Sequence, residues 1–236
     1  MKNIFIFGAN SDLIYEYLKS VKDKNNWFLY TKNIENLKIK INKLEKSKPG
    51  NKYLIKKVDF TADFLSLIDE DFKNNTIDKI ILAQGVLTDN DLDLKKYNEL
   101  FSVNVISIIQ LLKLSLKYLE IQNYGHIIVF SSIAGDLGRS SNYLYGSTKA
   151  SISTYVEGLQ RLKIKNIYIS LLKPGPIKTK MTEKYKKNFL WIKKEKAGDL
   201  IYKAIRSKKK VTYIPGYWKF IMIIIKLLPS FLIKKL

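Results

Sequence analysis

Short apolar runs alternate with longer amphipathic segments through most of this chain, and that alternation restricts the fold more than any single motif does. The apolar runs fall at residues 4–7, 27–30, 53–58, 80–82, 126–130 and 167–172. Helix-like stretches lie between them, at residues 12–21, 34–44, 62–69, 95–119 and 147–162. Strands that alternate with helices specify repeated βαβ units, and so a parallel sheet covered on both faces. The apolar runs lack the polar alternation of a half-exposed antiparallel sheet, which again implies burial on both sides. The expected class is therefore α/β, with a doubly wound parallel sheet. Loops are expected at residues 46–52, around Pro49-Gly50, and at residues 137–142, which carry a glycine, an arginine and two serines.

A length of 236 residues and a hydrophobic share of 46% suit one large domain with a continuous core. Cysteine is absent and His126 is the single histidine, so no disulfide, thiolate metal site or histidine-rich metal site is expected. The 42 Lys and Arg against 21 Asp and Glu favour an anionic partner: a phosphate-rich cofactor, a nucleic acid or an acidic membrane surface. A lysine-rich compositional habit would give the same excess, so charge alone does not choose among them. The apolar run at residues 4–7 is too short for a signal-peptide core and reads as a first buried strand. No run reaches the roughly 18 uninterrupted apolar residues of a membrane-spanning helix.

Several motifs carry chemistry. Gly8-Ala9-Asn10-Ser11-Asp12-Leu13-Ile14 follows the first strand and opens the first helix, where backbone N–H groups and the positive helix end can hold a pyrophosphate. At the end of the second strand, Thr31 and Lys32 stand where an acidic residue would bond a free ribose 2′-hydroxyl, and the basic residue favours NADP(H) over NAD(H). Ala83-Gln84-Gly85 follows the fourth strand, and Gly85 lets backbone approach a nicotinamide ribose. Ser131-Ser132 ends the fifth strand, on the edge of an open α/β sheet where ligands sit. Tyr145 and Lys149 are four residues apart and share one helix face. A free tyrosine titrates near about 10, and an adjacent ammonium stabilises the phenolate and lowers that value. Ser132 can donate to a carbonyl oxygen that grows more negative as hydride arrives.

Together these residues resemble the short-chain dehydrogenase/reductase family over residues 1–181. The pattern comprises Gly8-x-x-x-Asp12, Asp59, Ala83-x-Gly85, Asn104, Ser132, Tyr145-x-x-x-Lys149 and Pro174-Gly175-x-x-x-Thr179. The resemblance implies a single Rossmann-type domain with a helical C-terminal extension, and oxidoreduction of a CH–OH group with a nicotinamide cofactor. It implies that Tyr145 is the general acid/base, that Lys149 lowers its pKa and binds the nicotinamide ribose, and that Ser132 orients the carbonyl. Asn104 would hold a water that links Lys149 to solvent, Asp59 and Phe60 would lie at the adenine, and Ile177 and Thr179 would contact the carboxamide beside Pro174 and Gly175. One departure lies in the phosphate loop, where the family usually has glycines at the positions of Asp12 and Ile14.

Beyond this core, residues 182–212 are expected to shape the substrate pocket. Residues 180–196 are basic, with Tyr185, Phe189, Leu190 and Trp191 interleaved, and read as a lid or a membrane-facing helix. A third segment, residues 213–236, places Tyr217, Trp218 and Lys219 before an apolar run broken by Lys226 and Pro229, with Lys234 and Lys235 near its end. Such a tail suits a helix lying in the bilayer interface at the cytoplasmic face, where anionic lipid would add attraction. It resembles the branch of the family that reduces 2-keto-pentoses on polyprenyl-phosphate carriers, so the expected partner is a small or lipid-linked carbonyl compound. An alternative is a reductase of a soluble or fatty ketone whose tail joins identical subunits, since homo-oligomers are common in the family. A non-catalytic nucleotide sensor or nucleic-acid binder would use the charge differently. The intact catalytic positions and the lack of a recognition-helix or aromatic-platform motif argue against any nucleic-acid partner.

Overall fold

The computed structural model describes residues 1–88, 90 and 93–229. Among these, seven strands form one parallel sheet: β1 (Lys2–Phe7), β2 (Asn25–Thr31), β3 (Lys52–Lys57), β4 (Lys79–Leu82), β5 (Gly125–Phe130), β6 (Ile167–Pro174) and β9 (Val211–Ile214). A separate pair, β7 (Ile177–Lys178) and β8 (Ile192–Lys193), lies between β6 and β9 in the chain. The spatial order is β3-β2-β1-β4-β5-β6-β9. Ile4 thus faces Trp27 of β2 on one side and Lys79 of β4 on the other. The chain winds outward from β1, then returns to β4, and the reversal between them opens a crevice at the carboxyl edge of the sheet.

Both faces of the central strands are dry, as their apolar runs imply, whereas the edge strand β3 has no buried residue. Ile4 and Ile6 point into a core shared with α1 (Asp12–Ser20), α2 (Ile34–Ser47) and α7 (Lys194–Ser207), where they meet Ile14, Tyr17, Leu37, Ile41, Ile201 and Ile205. Phe5 and Phe7 point the opposite way, with Ile68 and Phe72 of α3 (Leu65–Asn74), Leu111 and Leu112 of α5 (Ser107–Gln122), and Ile152 and Val156 of α6 (Tyr143–Arg161). Each such side chain contributes roughly 1.5–3 kcal/mol by leaving water. α4 (Leu94–Phe101) runs into α5 through a π-helical turn, Ser102–Ile106, and the continuous helix Leu94–Gln122 is long and apolar enough to cross a bilayer. Its apolar face instead packs on the sheet through Ile108, Leu111, Leu112 and Leu119, as a core helix does.

The structure shifts several expected boundaries. Helix α3 begins at Leu65, not at residue 62, because Asp59 accepts from the Thr61 N–H and Asp63 from the Leu65 N–H, local bonds that compete with helical ones. α6 begins at Tyr143, four residues earlier than expected, so Tyr145 lies inside it with Lys149. Residues 180–196 do not form a lid helix. They make a 3₁₀ turn, Lys180–Thr182, then irregular chain to β8 and the start of α7. Isolated aromatics between lysines give that stretch no apolar stripe of helical period, and Phe189 is left 92% exposed. α7 is a core helix packed on α1. A Cβ at Gly198 would lie 2.6 Å from the Glu16 carbonyl carbon, so the close helix contact falls there and Ile14 is simply buried in the core.

The expected tail boundary at residue 213 cuts through β9, which pairs with β6 from Leu171–Val211 to Pro174–Ile214. The sequence 211–214 is too short to stand out as a strand, and its pairing with β6 fixes it. Helix α8 (Trp218–Leu227) follows. Its Trp218 and Met222 are buried against Ile133 and packed by Leu137, Leu190, Tyr213, Ile221 and Ile225. On its other side Phe220, Ile223, Ile224 and Leu227 are 67%, 48%, 60% and 80% exposed, a second apolar stripe at helical spacing. The expected Lys234 and Lys235 end of the tail lies outside the described residues.

Candidate active site

Gly8 closes β1 with φ +78°, and a Cβ there would sit 2.4 Å from the Gln84 nitrogen, so the loops after β1 and β4 touch through this residue. The Gly8 and Ala9 N–H groups donate to the Tyr30 carbonyl at 3.0 and 3.1 Å. Ser11 caps α1, its Oγ accepting from the Leu13 N–H at 3.3 Å. The side-chain oxygen of Asn10 is buried with no partner, and Ser11 and Leu13 face the cleft described below. A buried orphan acceptor and a helix N-terminus at the end of β1 fit a bound dinucleotide.

Asp12 faces the protein rather than the crevice. Its carboxylate accepts from the Lys180 N–H at 3.0 Å and from Lys40 Nζ at 3.1 Å, and Lys40 also donates to the Asn10 carbonyl at 2.7 Å. Partial burial pushes this carboxyl up, but the bonds from Lys180 and Lys40, with the charge of Lys194, outweigh it and hold it below the usual range. Asp12 thereby fixes the phosphate loop to α2 and to the loop after β7. Nothing local in the sequence marks Lys40, whose partners are 28 and 30 residues away.

At the outer end of the crevice, Lys32 Nζ lies 3.4 Å from Asp59 and 3.9 Å from Glu99, with its side chain 63% exposed. The Asp59 carboxyl is held low chiefly by bonds from the Thr61 hydroxyl and N–H, with Lys32 adding to them. Phe60 is buried, its ring 5.5 Å from that of Phe64.

The cleft itself holds about 280 Å³. It gathers Ser11, Leu13, Ala83, Gly85, Ser132, Tyr145, Lys149, Pro174, Gly175, Ile177 and Thr179 of the expected residues, and adds Arg139, Asn142, Met181, Tyr185 and Trp191. Gly8, Asn10, Asp12, Lys32, Asp59, Phe60 and Asn104 do not line it. The Pro174-Gly175 loop is pressed by the tail, since a Cβ on Gly175 would lie 2.2 Å from Trp218 Nε1.

Tyr145, Ser132 and Lys149 converge with a geometry that corrects one expectation. Ser132 Oγ accepts from the Ala134 N–H at 3.1 Å, donates to the Pro174 carbonyl at 3.4 Å, and lines the cleft with Tyr145. Lys149 Nζ is 5.7 Å from the centre of the Tyr145 ring and donates to the Phe130 carbonyl at 3.3 Å. The ammonium does not lower the phenol in this state. Burial pushes Tyr145 up to about 12, with Ser132 pulling it down and Tyr185 adding to the rise. Burial likewise brings Lys149 down to about 8. Desolvation dominates both groups because no direct bond joins them.

Asn104 occupies the π-helical turn between α4 and α5. Its Oδ1 accepts from the Val86 N–H at 2.8 Å, and its Nδ2 donates to the Val86 carbonyl at 2.9 Å and to Thr148 Oγ1 at 3.2 Å. The Asn104 amide thereby ties the loop after β4 to α6. A Cβ on Gly85 would lie 3.3 Å from Lys149 Nζ and 3.4 Å from Asn104 Oδ1, so Gly85 leaves room beside both.

The family described as short chain dehydrogenase matches residues 2–189, and the chain belongs to that family. It is an NAD(P)-dependent oxidoreductase acting on CH–OH groups. An uncharacterized oxidoreductase of Mycobacterium tuberculosis is 26% identical over 168 residues, covering 70% of this chain and 68% of its own. A 3-oxoacyl-(acyl-carrier-protein) reductase of Buchnera aphidicola is 26% identical over 229 residues, covering 90% of this chain and 92% of its own. Among solved structures, a short-chain dehydrogenase from Sphingobium yanoikuyae in complex with NADPH aligns with a TM-score of 0.82 at 17% identity, over 91% of this chain and 88% of that one. One from Burkholderia phymatum in complex with NAD aligns with a TM-score of 0.78 at 16% identity, over 93% and 91%.

A lysine that is 4% exposed, with its pKa brought from 10.5 to about 8, weakens the fold at neutral pH. Between pH 8 and 10.5 the unfolded chain binds more protons at this position, so stability rises with pH through that window and is lost as pH falls to 8. Lys149→Met should therefore raise the stability of the cofactor-free protein at pH 7 by roughly 1–3 kcal/mol, an advantage that fades as pH approaches 10.5. Urea unfolding of both proteins at pH 7 and pH 10 checks this, and a less stable variant at pH 7 contradicts it.

Proposed function

We propose that this chain is a reductase that converts a ketone to a secondary alcohol, with Tyr145 as the proton donor. The observation that supports this most is the convergence of Ser132, Tyr145 and Lys149 on one cleft with Gly85 and the Pro174-Gly175 loop. A phenol held near 12 carries its proton at neutral pH, the form an acid needs. Tyr145 gives that proton to the carbonyl oxygen as the oxygen gains charge. Ser132, in the same cleft, donates to the same oxygen and strengthens its bond as charge develops. Lys149 stays ammonium below its value of about 8, beside Gly85, where the nicotinamide ribose would lie. A bound nicotinamide supplies the hydride at the carbonyl carbon. Asn104 positions rather than reacts, holding α6 against the loop after β4.

For the cofactor, Gly8, Asn10, Ser11 and Leu13 would hold the pyrophosphate, with Asp12 setting their loop. Asp59 and Phe60 would lie at the adenine, Ala83 and Gly85 with Lys149 at the nicotinamide ribose, and Pro174, Gly175, Ile177 and Thr179 at the carboxamide. Lys32 favours NADP(H), because exposed pairs such as Lys32–Asp59 are worth only about 0–1 kcal/mol and yield readily to a phosphate.

The exposed stripe of α8 supports a place at a membrane. Phe220, Ile223, Ile224 and Leu227 face outward on a helix that also exposes Lys219 and Lys226, which suits a helix lying in an anionic lipid surface. A lipid-attached keto compound, such as a polyprenyl-linked keto sugar, could then reach the cleft from the bilayer. The second reading takes the Buchnera reductase as its guide: a fatty 3-oxoacyl substrate, with the stripe covered by a second copy of the chain. On either reading, residues 1–181 carry the chemistry, residues 182–212 shape the cleft and residues 213–236 govern attachment.

Tyr145→Phe should lower turnover by at least about 100-fold while cofactor titration by fluorescence stays unchanged, in line with loss of a general acid; retained turnover refutes the assignment. Lys32→Ala should weaken NADPH binding by about 3- to 10-fold and leave NADH unaffected, as loss of one charge-assisted bond would. Equal loss for both cofactors argues against a 2′-phosphate contact. With anionic liposomes, the wild type should float and a Phe220→Ser/Ile224→Ser/Leu227→Ser variant should not. A wild type that stays in solution as a dimer supports the second reading.

A further inference from the structure

We propose that Arg139 is the receptor for an anionic group, a carboxylate or a phosphate, carried by the substrate close to its reacting carbonyl; this rests on the reductase reading of the same cleft. Arg139 stands in the loop between β5 and α6 and lines the cleft with Ser132 and Tyr145. Its Nε is buried without a partner. One terminal nitrogen reaches only the Met222 sulfur of α8, at 3.8 Å, and a thioether is a weak acceptor. Asp136 is near enough to be felt through space, but its two oxygens already take Lys173 Nζ at 2.8 Å and the Tyr213 hydroxyl at 2.7 Å. Among the described residues, no carboxylate pairs with this guanidinium.

Such an arrangement is costly in a resting protein and useful in a binding site. A guanidinium stays charged and carries five donors in a planar fork, so withdrawing it from water without an acceptor is unfavourable. That fork matches a carboxylate or a phosphate. Asn142, on the same wall of the cleft, has a buried side-chain oxygen that is also without a partner. The Arg139 donor is the group that suits an anion, while the Asn142 oxygen is an acceptor that suits a hydroxyl of the same ligand; the other lining of this largely apolar cleft includes Leu87, Ile133, Met181 and Trp191. Lys149, the other cation there, already donates to the Phe130 carbonyl, whereas Arg139 has no oxygen acceptor among the described residues.

The test uses equilibrium binding to the full chain loaded with NADP⁺, where no turnover occurs, and ligand pairs that differ in charge. Levulinate is compared with methyl levulinate, and dihydroxyacetone phosphate with dihydroxyacetone. In at least one pair the anion should bind about 10- to 100-fold tighter than its neutral partner, the range of a hydrogen bond to a charged group, and the pair that responds identifies carboxylate or phosphate. Arg139→Gln should erase that preference and leave the neutral ligand unchanged, whereas a merely structural role would weaken both equally. Arg139→Lys, which keeps the charge and loses the fork, should retain part of the preference and serves if the glutamine variant does not fold. No preference for the anion in either pair, or a preference that survives Arg139→Gln, overturns the proposal. The measurement does not use the Tyr145 proton, so its failure is distinct from failure of the reductase reading.

Discussion

Parallel strands that are apolar on both faces can be kept from water only between two helical layers, and that requirement leaves the loops at the strand ends as the place for polar chemistry. Here the layers are complete. Ile4 and Ile6 go to one core and Phe5 and Phe7 to the other, so β1 has no face left for a ligand. The reversal of strand order between β1 and β4 then opens the carboxyl edge, and Gly8 lets the two adjoining loops meet backbone to backbone. A side chain at Gly8 would force those loops apart and with them the phosphate loop and Gly85.

The same requirement explains why the reacting groups sit far from their ordinary titration ranges. Tyr145 and Lys149 are carried by α6 over the edge of a dry sheet, where either charged form is poorly solvated. Water is replaced by fixed dipoles: the Phe130 carbonyl for Lys149 and the Ser132 hydroxyl for Tyr145. Ser131 braces this arrangement from below, its hydroxyl bonded to the Lys149 carbonyl at 2.9 Å and to Ser153 at 2.8 Å. The protein thus holds a neutral phenol beside a weakened ammonium, a pair that is uneasy at rest and gains when charge develops on a substrate oxygen between them. Stability given up at this site is recovered in the two cores.

Much of this was legible in the sequence. Apolar-rich runs marked six of the seven sheet strands, most plainly the central ones, where burial on both faces leaves no polar alternation to confuse the pattern. Ser132, Tyr145 and Lys149 were legible because the chemistry needs their types at fixed intervals. Contacts made across long stretches of chain were not. Asp12 looked like part of a phosphate loop, yet its partners are Lys40 and Lys180. Asn104 was found at its expected place, but nothing local announced that its amide would be consumed by Val86 and Thr148. β9 escaped notice because four residues carry little periodicity, and Arg139 because an unpaired cation can be recognised only once its surroundings are known.

Helix α8 links these observations. Most surface helices have one apolar face; this one has two, and they do different things. The inner face presses Trp218 onto Gly175, in the loop expected at the carboxamide, and brings Met222 to Arg139 on the substrate side. The outer stripe of Phe220, Ile223, Ile224 and Leu227 meets whatever lies outside. Any surface that engages the outer stripe therefore bears on a rigid helix with a foothold on both halves of the cleft. A helix so placed touches the cleft at two points one turn apart, Trp218 at Gly175 and Met222 at Arg139.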